Sequence, residues 1–421
     1  MKISDTLLLL NDWWKSGKVS EDLAKPYKRK AFAEALRLFT HYRQVVILTG
    51  LRRVGKSTII YQLISYLLSK GVDPKNVLYF TFDLNTIELH KLLEEYGSLT
   101  GVDWKNSKVY LFFDELQKLG NWSSQLKVLY DRFPNLKIVI SGSASLQLEG
   151  KAVSDLAGRY FTIDITPLSI IEYYELKNSK QIDRPELYED DLRQELRSYI
   201  EKPFPEIVKW TSEMDIRTYI RENVIAKIVR GDLPSTFHSV NFRLLESMLS
   251  LFYSEPGMIL STDALAKELG ISKTTLENHI FYLEFAKLIR VVRNYRPNLR
   301  MESRKLKKVY PYDISLALAY NNVQEPYAME TLVASALNLS LYWRMQGKEV
   351  DFVNKEPLVP IEVKSGEKIG EGELTAIKYF VRKYRAKKGI VAYNGTAYIT
   401  KEAIEIVPIL RLLVEGNSVL K

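Results

Sequence analysis

Eight residues, Gly50 to Ser57, read G-L-R-R-V-G-K-S, and their types and spacing suit the grip of a polyphosphate. Gly50 and Gly55 free the backbone to turn so that successive N–H groups face phosphate oxygens. Leu51, Arg52, Arg53 and Val54 lie between them. Lys56 would neutralise the β- and γ-phosphates, the Ser57 hydroxyl would complete the shell of a magnesium ion, and Thr58 carries the loop onward. Farther along, Asp114 could hold that magnesium through water, and Glu115 could orient and deprotonate an attacking water. Ser141 and Ser143 end a later apolar run, where they either sense the γ-phosphate or close an ordinary Ser/Gly turn. Arg159 either reaches into a neighbouring copy's site to stabilise the transferring phosphoryl group, or caps a helix at the surface. A second chemistry is possible near the C-terminus, where ten residues separate Asp351 from Glu362-x-Lys364. There Asp351 and Glu362 would hold magnesium, with Glu330 as a third ligand, and Lys364 would position the water. The alternative is a solvent-exposed E-x-K pair on an amphipathic strand.

These residues need elements that place them. Val45 to Thr49 is an apolar run and Thr58 to Leu63 reads as a helix, so the loop sits at a strand-to-helix turn with the positive helix end behind the phosphates. Val77–Phe82, Lys108–Phe113, Leu136–Ile140 and Tyr160–Ile165 read as further buried strands separated by helical patterns. The repeat predicts α/β architecture with a parallel, three-layer sheet.

The loop, Phe113-Asp114-Glu115-Leu116-Gln117-Lys118, Ser141-Gly142-Ser143-Ala144-Ser145 and Leu156-Ala157-Gly158-Arg159 resemble the successive signatures of prokaryotic AAA+-type P-loop ATPases. The similarity is greatest to a mostly archaeal and bacterial group whose C-terminal region is a domain of unknown function like restriction endonucleases. Pro167 to Glu175 resembles that group's run after the fifth strand. The resemblance implies strand order 5-1-4-3-2, ATP hydrolysis with Glu115 as base, and Arg159 acting across a subunit boundary. Ser57 replaces the threonine common in that group, and either hydroxyl can ligate magnesium.

Residues 1–175 are thus expected to form the ATPase domain and 176–240, highly charged, a helical lid or linker. Residues 241–312 read as a winged helix-turn-helix: a helix at Leu265–Leu269, a turn at Gly270–Ser272, a helix at Lys273–Lys287, then a strand. Its face would carry Lys273, Thr274, Thr275, Asn278 and His279 toward DNA. Arg290, Arg293, Arg296, Arg300, Arg304, Lys305, Lys307 and Lys308, against the single acid Glu302, would form a basic wing. The other reading is a lid or protein-contact module. Residues 313–421, in the order α-β-β-β-α-β, resemble the core of PD-(D/E)xK nucleases.

Composition frames these readings. The chain has 421 residues, a net charge of +9, no cysteine and four histidines. That excludes disulfides and thiolate or histidine-cluster metal sites, and a basic balance favours nucleic acid as partner. No apolar run is long enough to span a membrane, and Leu7–Leu10 lacks the basic leader of a signal peptide, so a cytoplasmic protein is expected. Lys, Arg, Glu and Tyr enrichment hints at a thermophile. The main expectation is a magnesium-dependent ATP hydrolase that binds and remodels DNA as a homo-oligomer. The rivals are an ATP-gated switch acting on proteins, with an inactive nuclease-like domain, and an endonuclease that ATP licenses.

Overall fold

The computed structural model describes residues 2–142, 156–237, 239–297 and 306–421. They divide into two compact units, residues 1–166 and 167–421.

In the first unit five parallel strands, β1 (Val45–Gly50), β2 (Val77–Thr81), β3 (Val109–Asp114), β4 (Leu136–Ser141) and β5 (Tyr160–Ile165), lie in the order β2-β3-β4-β1-β5. This is the 5-1-4-3-2 order expected of a P-loop fold, read from the other edge. The continuous apolar runs explain it, because helices 56–69, 89–100 and 122–132 join strands that must be covered on both faces. β1 is buried along its whole length, and Phe80, Leu111, Phe113 and Ile140 are fully buried around it.

The edge strand β2 is closed by the N-terminal segment. The Asn11 amide donates to the Tyr79 carbonyl at 2.9 Å and accepts from the Tyr79 N–H at 2.7 Å, while the indole N–H groups of Trp13 and Trp14 donate to the Val77 carbonyl. An edge that would otherwise offer unpaired backbone groups is satisfied by side chains. The apolar stretch Leu7–Leu10 belongs to helix 3–10, which packs on this edge.

The second unit holds two further five-stranded sheets. One has the order β10-β9-β7-β8-β6, built from β6 (Met258–Leu260), β7 (Ile289–Asn294), β8 (Lys307–Pro311), β9 (Leu341–Met345) and β10 (Lys348–Val350). The other has the order β11-β12-β13-β15-β14, from β11 (Phe352–Asn354), β12 (Val359–Lys364), β13 (Gly389–Tyr393), β14 (Ile399–Lys401) and β15 (Ile404–Pro408). Helices Thr262–Glu268 and Lys273–Phe285 precede β7 as expected. The boundaries expected at 240/241 and 312/313 fall inside this unit. Across the second of them β7 pairs in parallel with β9, Arg293 opposite Leu341 and Asn294 opposite Tyr342. Two short strands flank Asp351: β10 pairs with β9, β11 pairs with β12, and Asp351 is the residue between them.

Candidate functional site

The phosphate-binding loop closes at the C-terminal edge of β1. Gly50 has φ 146°, and a Cβ there would overlap the Ile165 carbonyl oxygen, so the first glycine is required by the neighbouring strand. Gly55, at φ 95°, caps helix 56–69 in a conformation that a side chain would strain. Lys56 opens that helix, is 6% exposed, and donates to the loop's own carbonyls, Gly50 at 3.1 Å and Leu51 at 2.8 Å. Its ammonium is therefore held over the loop by the backbone it would share with phosphate oxygens.

Asp114 is the hub opposite. Its Oδ2 accepts from the Ser57 hydroxyl at 2.6 Å and from the Tyr79 hydroxyl at 3.0 Å, and its Oδ1 accepts from the Ser141 hydroxyl. Three strands and the loop helix thus converge on one carboxylate. Two hard oxygen donors, Ser57 and Asp114, lie side by side beside the loop, which suits magnesium's need for a few protein oxygens completed by phosphate and water. The Tyr79 ring lies tilted against Tyr61 with centroids 4.8 Å apart, and burial pushes its hydroxyl up, so it stays protonated and donates to Asp114.

Glu115 follows Asp114 in a left-handed conformation, φ 54°, a strain of roughly 1–3 kcal/mol that turns the side chain out of the strand direction. It is nearly buried and accepts from the Gln117 amide at 2.5 Å. Burial raises its pKa, and the charges of Lys56 and Arg52 pull against that rise. A carboxylate made more basic by burial, near the loop lysine, is suited to take a proton from water.

Arg159 lies elsewhere. It precedes β5, its carbonyl accepts from the Val45 N–H, and its guanidinium clasps Asp131 at 2.9 and 3.3 Å. The loop is at the opposite ends of β1 and β5, a strand length of roughly 16–20 Å away. Arg159 is out of reach of its own loop. Ser143 lies outside the described residues.

Two residues that sequence reasoning passed over hold the loop in place. Arg29, 8% exposed, donates to the carbonyls of Val54 at 2.8 Å and Thr166 at 2.9 Å. Gln62 donates to the carbonyls of Lys25 and Tyr27, tying the chain before Arg29 to the loop helix. Neither has a local pattern to mark it, because their partners are backbone carbonyls.

In the second unit the acidic residues gather only in part. Glu330, on helix 325–336, accepts from the Tyr310 hydroxyl at 2.6 Å, Asp351 from the Val363 N–H at 2.8 Å, and Glu362 from Lys364 at 2.9 Å. Burial pushes Glu330 up to about 7 and Glu362 up to about 8, and the Asp351 charge adds to both. Lys308 reaches this cluster from β8, 6% exposed and paired with Glu349, with Asp351 and Glu330 supporting its charge. Among the described residues no group of three or more His, Asp or Glu side chains is arranged to hold a metal ion. The expected ligand set of Glu330, Asp351 and Glu362 is therefore not assembled as one. One oxygen of each is held separately, by Tyr310, by backbone and by Lys364, the second Glu362 oxygen is buried without a hydrogen-bond partner, and a lysine that sequence reasoning placed on a wing supplies a cation.

The expected DNA-binding residues divide. Lys273, Thr274 and Asn278 are exposed and Thr275 is half-buried on helix 273–285, with Lys273 paired to Asp263. His279, expected on that face, is buried and accepts from the Asn241 N–H at 3.1 Å. Arg290 is also internal, donating to Asn338 Oδ1 at 2.8 Å and the Leu339 carbonyl at 3.3 Å. Arg290 shares its cause with the buried Lys308, since β7 and β8 are inner strands of a five-stranded sheet, whereas His279 is on the inward side of helix 273–285. Arg293 is half-exposed beside Glu284, and Arg296 donates to the Arg344 carbonyl. Arg300, Arg304 and Lys305 lie outside the described residues.

Comparisons with known proteins agree with the first unit. Residues 42–174 match an AAA domain, and residues 193–327 and 321–412 match two domains of unknown function, DUF8612 and DUF4143. An uncharacterized protein of Methanocaldococcus jannaschii is 27% identical over 392 residues, covering 83% of this chain and 80% of its own. An uncharacterized protein of Haemophilus influenzae is 26% identical over 253 residues, 60% of this chain and 61% of its own. Among solved structures, Cdc6p from Pyrobaculum aerophilum is similar at 12% identity and a TM-score of 0.30, over 72% of this chain and 96% of that one; a score so low carries no argument. Loop, sheet order and domain match together give the N-terminal unit the fold and motifs of a P-loop ATPase, similar to AAA domains over residues 42–174.

Proposed function

We propose that this chain is a magnesium-dependent ATPase that binds DNA and remodels it in cycles of hydrolysis, as a homo-oligomer. The observation that carries the reading is the convergence of Ser57, Tyr79 and Ser141 on Asp114, with Lys56 over the loop and Glu115 beside it. The backbone amides from Gly50 to Thr58 and the Lys56 ammonium would bind the β- and γ-phosphates. Magnesium, when bound, would neutralise charge on those phosphates, with Ser57 and Asp114 as its protein ligands. Glu115 would orient water for attack on the γ-phosphorus and accept its proton. Ser141 holds Asp114 from the end of β4. Because Arg159 is out of reach of its own loop, its role as a finger requires a second copy, which is why an oligomer belongs to the proposal.

DNA as partner is supported by the +9 charge and by exposed bases in the second unit. Strand scission is not part of the proposal, since the carboxylates are not arranged as a metal site. Among the described residues no helix is long and apolar enough to cross a membrane. The test is ATP turnover without DNA and with duplex, branched and single-stranded DNA, with Glu115→Gln as the blank. Several-fold stimulation by one form supports the reading. Turnover indifferent to every form overturns it in favour of an ATP-gated switch acting on proteins, a reading that the internal positions of Arg290, Lys308 and His279 favour.

A further inference from the structure

The loss of Arg290 and Lys308 to the interior moves the free positive charge of the second unit to another face. Between Leu374 and Lys388 the chain carries six bases and no acid. Helix 375–384 buries Ile377 and Phe380, which leaves Lys378 half-buried and Arg382 and Lys383 exposed on its other sides. Lys378 and Arg382 stand one helical turn apart, about 6 Å along the axis. That spans roughly two phosphates of one strand of a duplex, which follow at about 3.4 Å. Arg385, just past the helix, is also exposed.

The β9–β10 hairpin adds to the same face. The Lys348 ammonium lies 5.4 Å from the centre of the Tyr379 ring and Lys383 lies 5.5 Å from it, so bases from two chain segments share one aromatic platform. Lys383 also reaches Met345 Sδ at 3.2 Å. The acid on this hairpin, Glu349, is held by Lys308 and Arg344. Cations spaced for phosphates, with tyrosines between them and their local acid neutralised, match the chemistry of a nucleic-acid backbone site.

We infer that helix 375–384 and the β9–β10 hairpin form the main phosphate-contacting face for DNA, in place of the expected wing. This inference rests on the proposed DNA partner and names where that partner lies. Sequence-independent binding is expected, because the face offers charge and stacking rather than amide readers of base edges.

The test is fluorescence anisotropy of labelled random-sequence duplex DNA with the full-length protein, over about 50 to 200 mM salt, repeated with single-stranded and branched DNA. The triple variant Lys378→Ala/Arg382→Ala/Lys383→Ala is compared with Lys273→Ala/Asn278→Ala. About 0.9 of salt slope is lost per phosphate contact, so the triple variant should lower the slope by about 2–3 and weaken binding about tenfold or more. The helix 273–285 variant should change the slope by less than about one. Wild-type binding that the triple variant leaves intact overturns the inference and spares the proposed function, whereas no wild-type binding to any DNA overturns both. Thermal melting of each full-length variant serves as the folding control. If the triple variant misfolds, Lys348→Gln/Arg385→Gln, which spares the helix, should lower the slope by about two.

Discussion

Tyr79→Phe isolates one hydroxyl in the first unit. The Tyr79 ring is 3% exposed and phenylalanine keeps its packing, so the substitution removes the 3.0 Å donation to Asp114 Oδ2 together with the hydrogen bond to Tyr61. Asp114 has three hydroxyl donors, Ser57, Tyr79 and Ser141. Ser57 must turn toward the metal to ligate it, which leaves Tyr79 and Ser141 to fix the carboxylate. A hydrogen bond to a charged group contributes about 1.5–3 kcal/mol. With Ser141 in place we expect the lower end, about 1.5 kcal/mol, or roughly tenfold. The magnesium concentration for half-maximal ATP turnover should therefore rise about tenfold, while turnover at saturating magnesium stays within a few-fold of wild type. Binding of a fluorescent nucleotide in chelator should stay unchanged, because the loop amides and Lys56 are untouched. A magnesium dependence identical to wild type would refute the argument. So would a parallel loss of metal-free nucleotide binding, which would mean that Tyr79 only supports the fold.

Glu115→Gln should abolish turnover and keep nucleotide binding, and wild-type turnover should fall with decreasing pH from above the ordinary carboxylate range, since burial raises the Glu115 pKa; a pH–rate profile checks the direction. Arg29→Ala strands the Val54 and Thr166 carbonyls that it joins, and a loss on the order of 2 kcal/mol is expected both in melting and in nucleotide affinity. Arg290→Ala should lower the melting temperature without altering the salt slope of DNA binding, because the side chain is internal; a changed slope with unchanged melting would contradict its placement. The Glu330 and Glu362 pKa values, about 7 and about 8, lie above the ordinary 4.5, so the folded second unit holds protons that the unfolded chain releases. Its stability should be full below about pH 4.5 and fall by a few kcal/mol as pH rises to 8. Glu362→Gln should flatten that dependence, and a melting temperature that rises across the window would sink the account.

The first unit was legible because its signals are local. The G-x-x-x-x-G-K-S octet, the strand ending in Asp114-Glu115 and the apolar runs of β1 to β4 carry their chemistry and their burial in adjacent residues. The parallel order followed from strands too apolar to face water on either side. The exchange of hydrogen bonds among Ser57, Tyr79, Ser141 and Asp114 was half legible. Ser57, Ser141 and Asp114 sit at recognisable strand ends, whereas Tyr79 is one aromatic residue in an aromatic strand.

The second unit shows what a linear pattern lacks. A run of eight bases from Arg290 to Lys308 looks like a solvated wing, yet whether each base meets water depends on the strands flanking β7 and β8. One of those, β9, comes from almost fifty residues later. Its parallel pairing with β7 buries Arg290, and the neighbouring hairpin brings Glu349 to Lys308. Likewise the spacing of Asp351, Glu362 and Lys364 marked candidate ligands, but the break between β10 and β11 at Asp351 decided which partner each oxygen meets. Side-chain identity, period and capping determined which elements form and where a phosphate would be held. Strand neighbours far apart in sequence decided which charges are paid by protein partners and which remain for a ligand, because burial and ion pairing are properties of the assembled sheet.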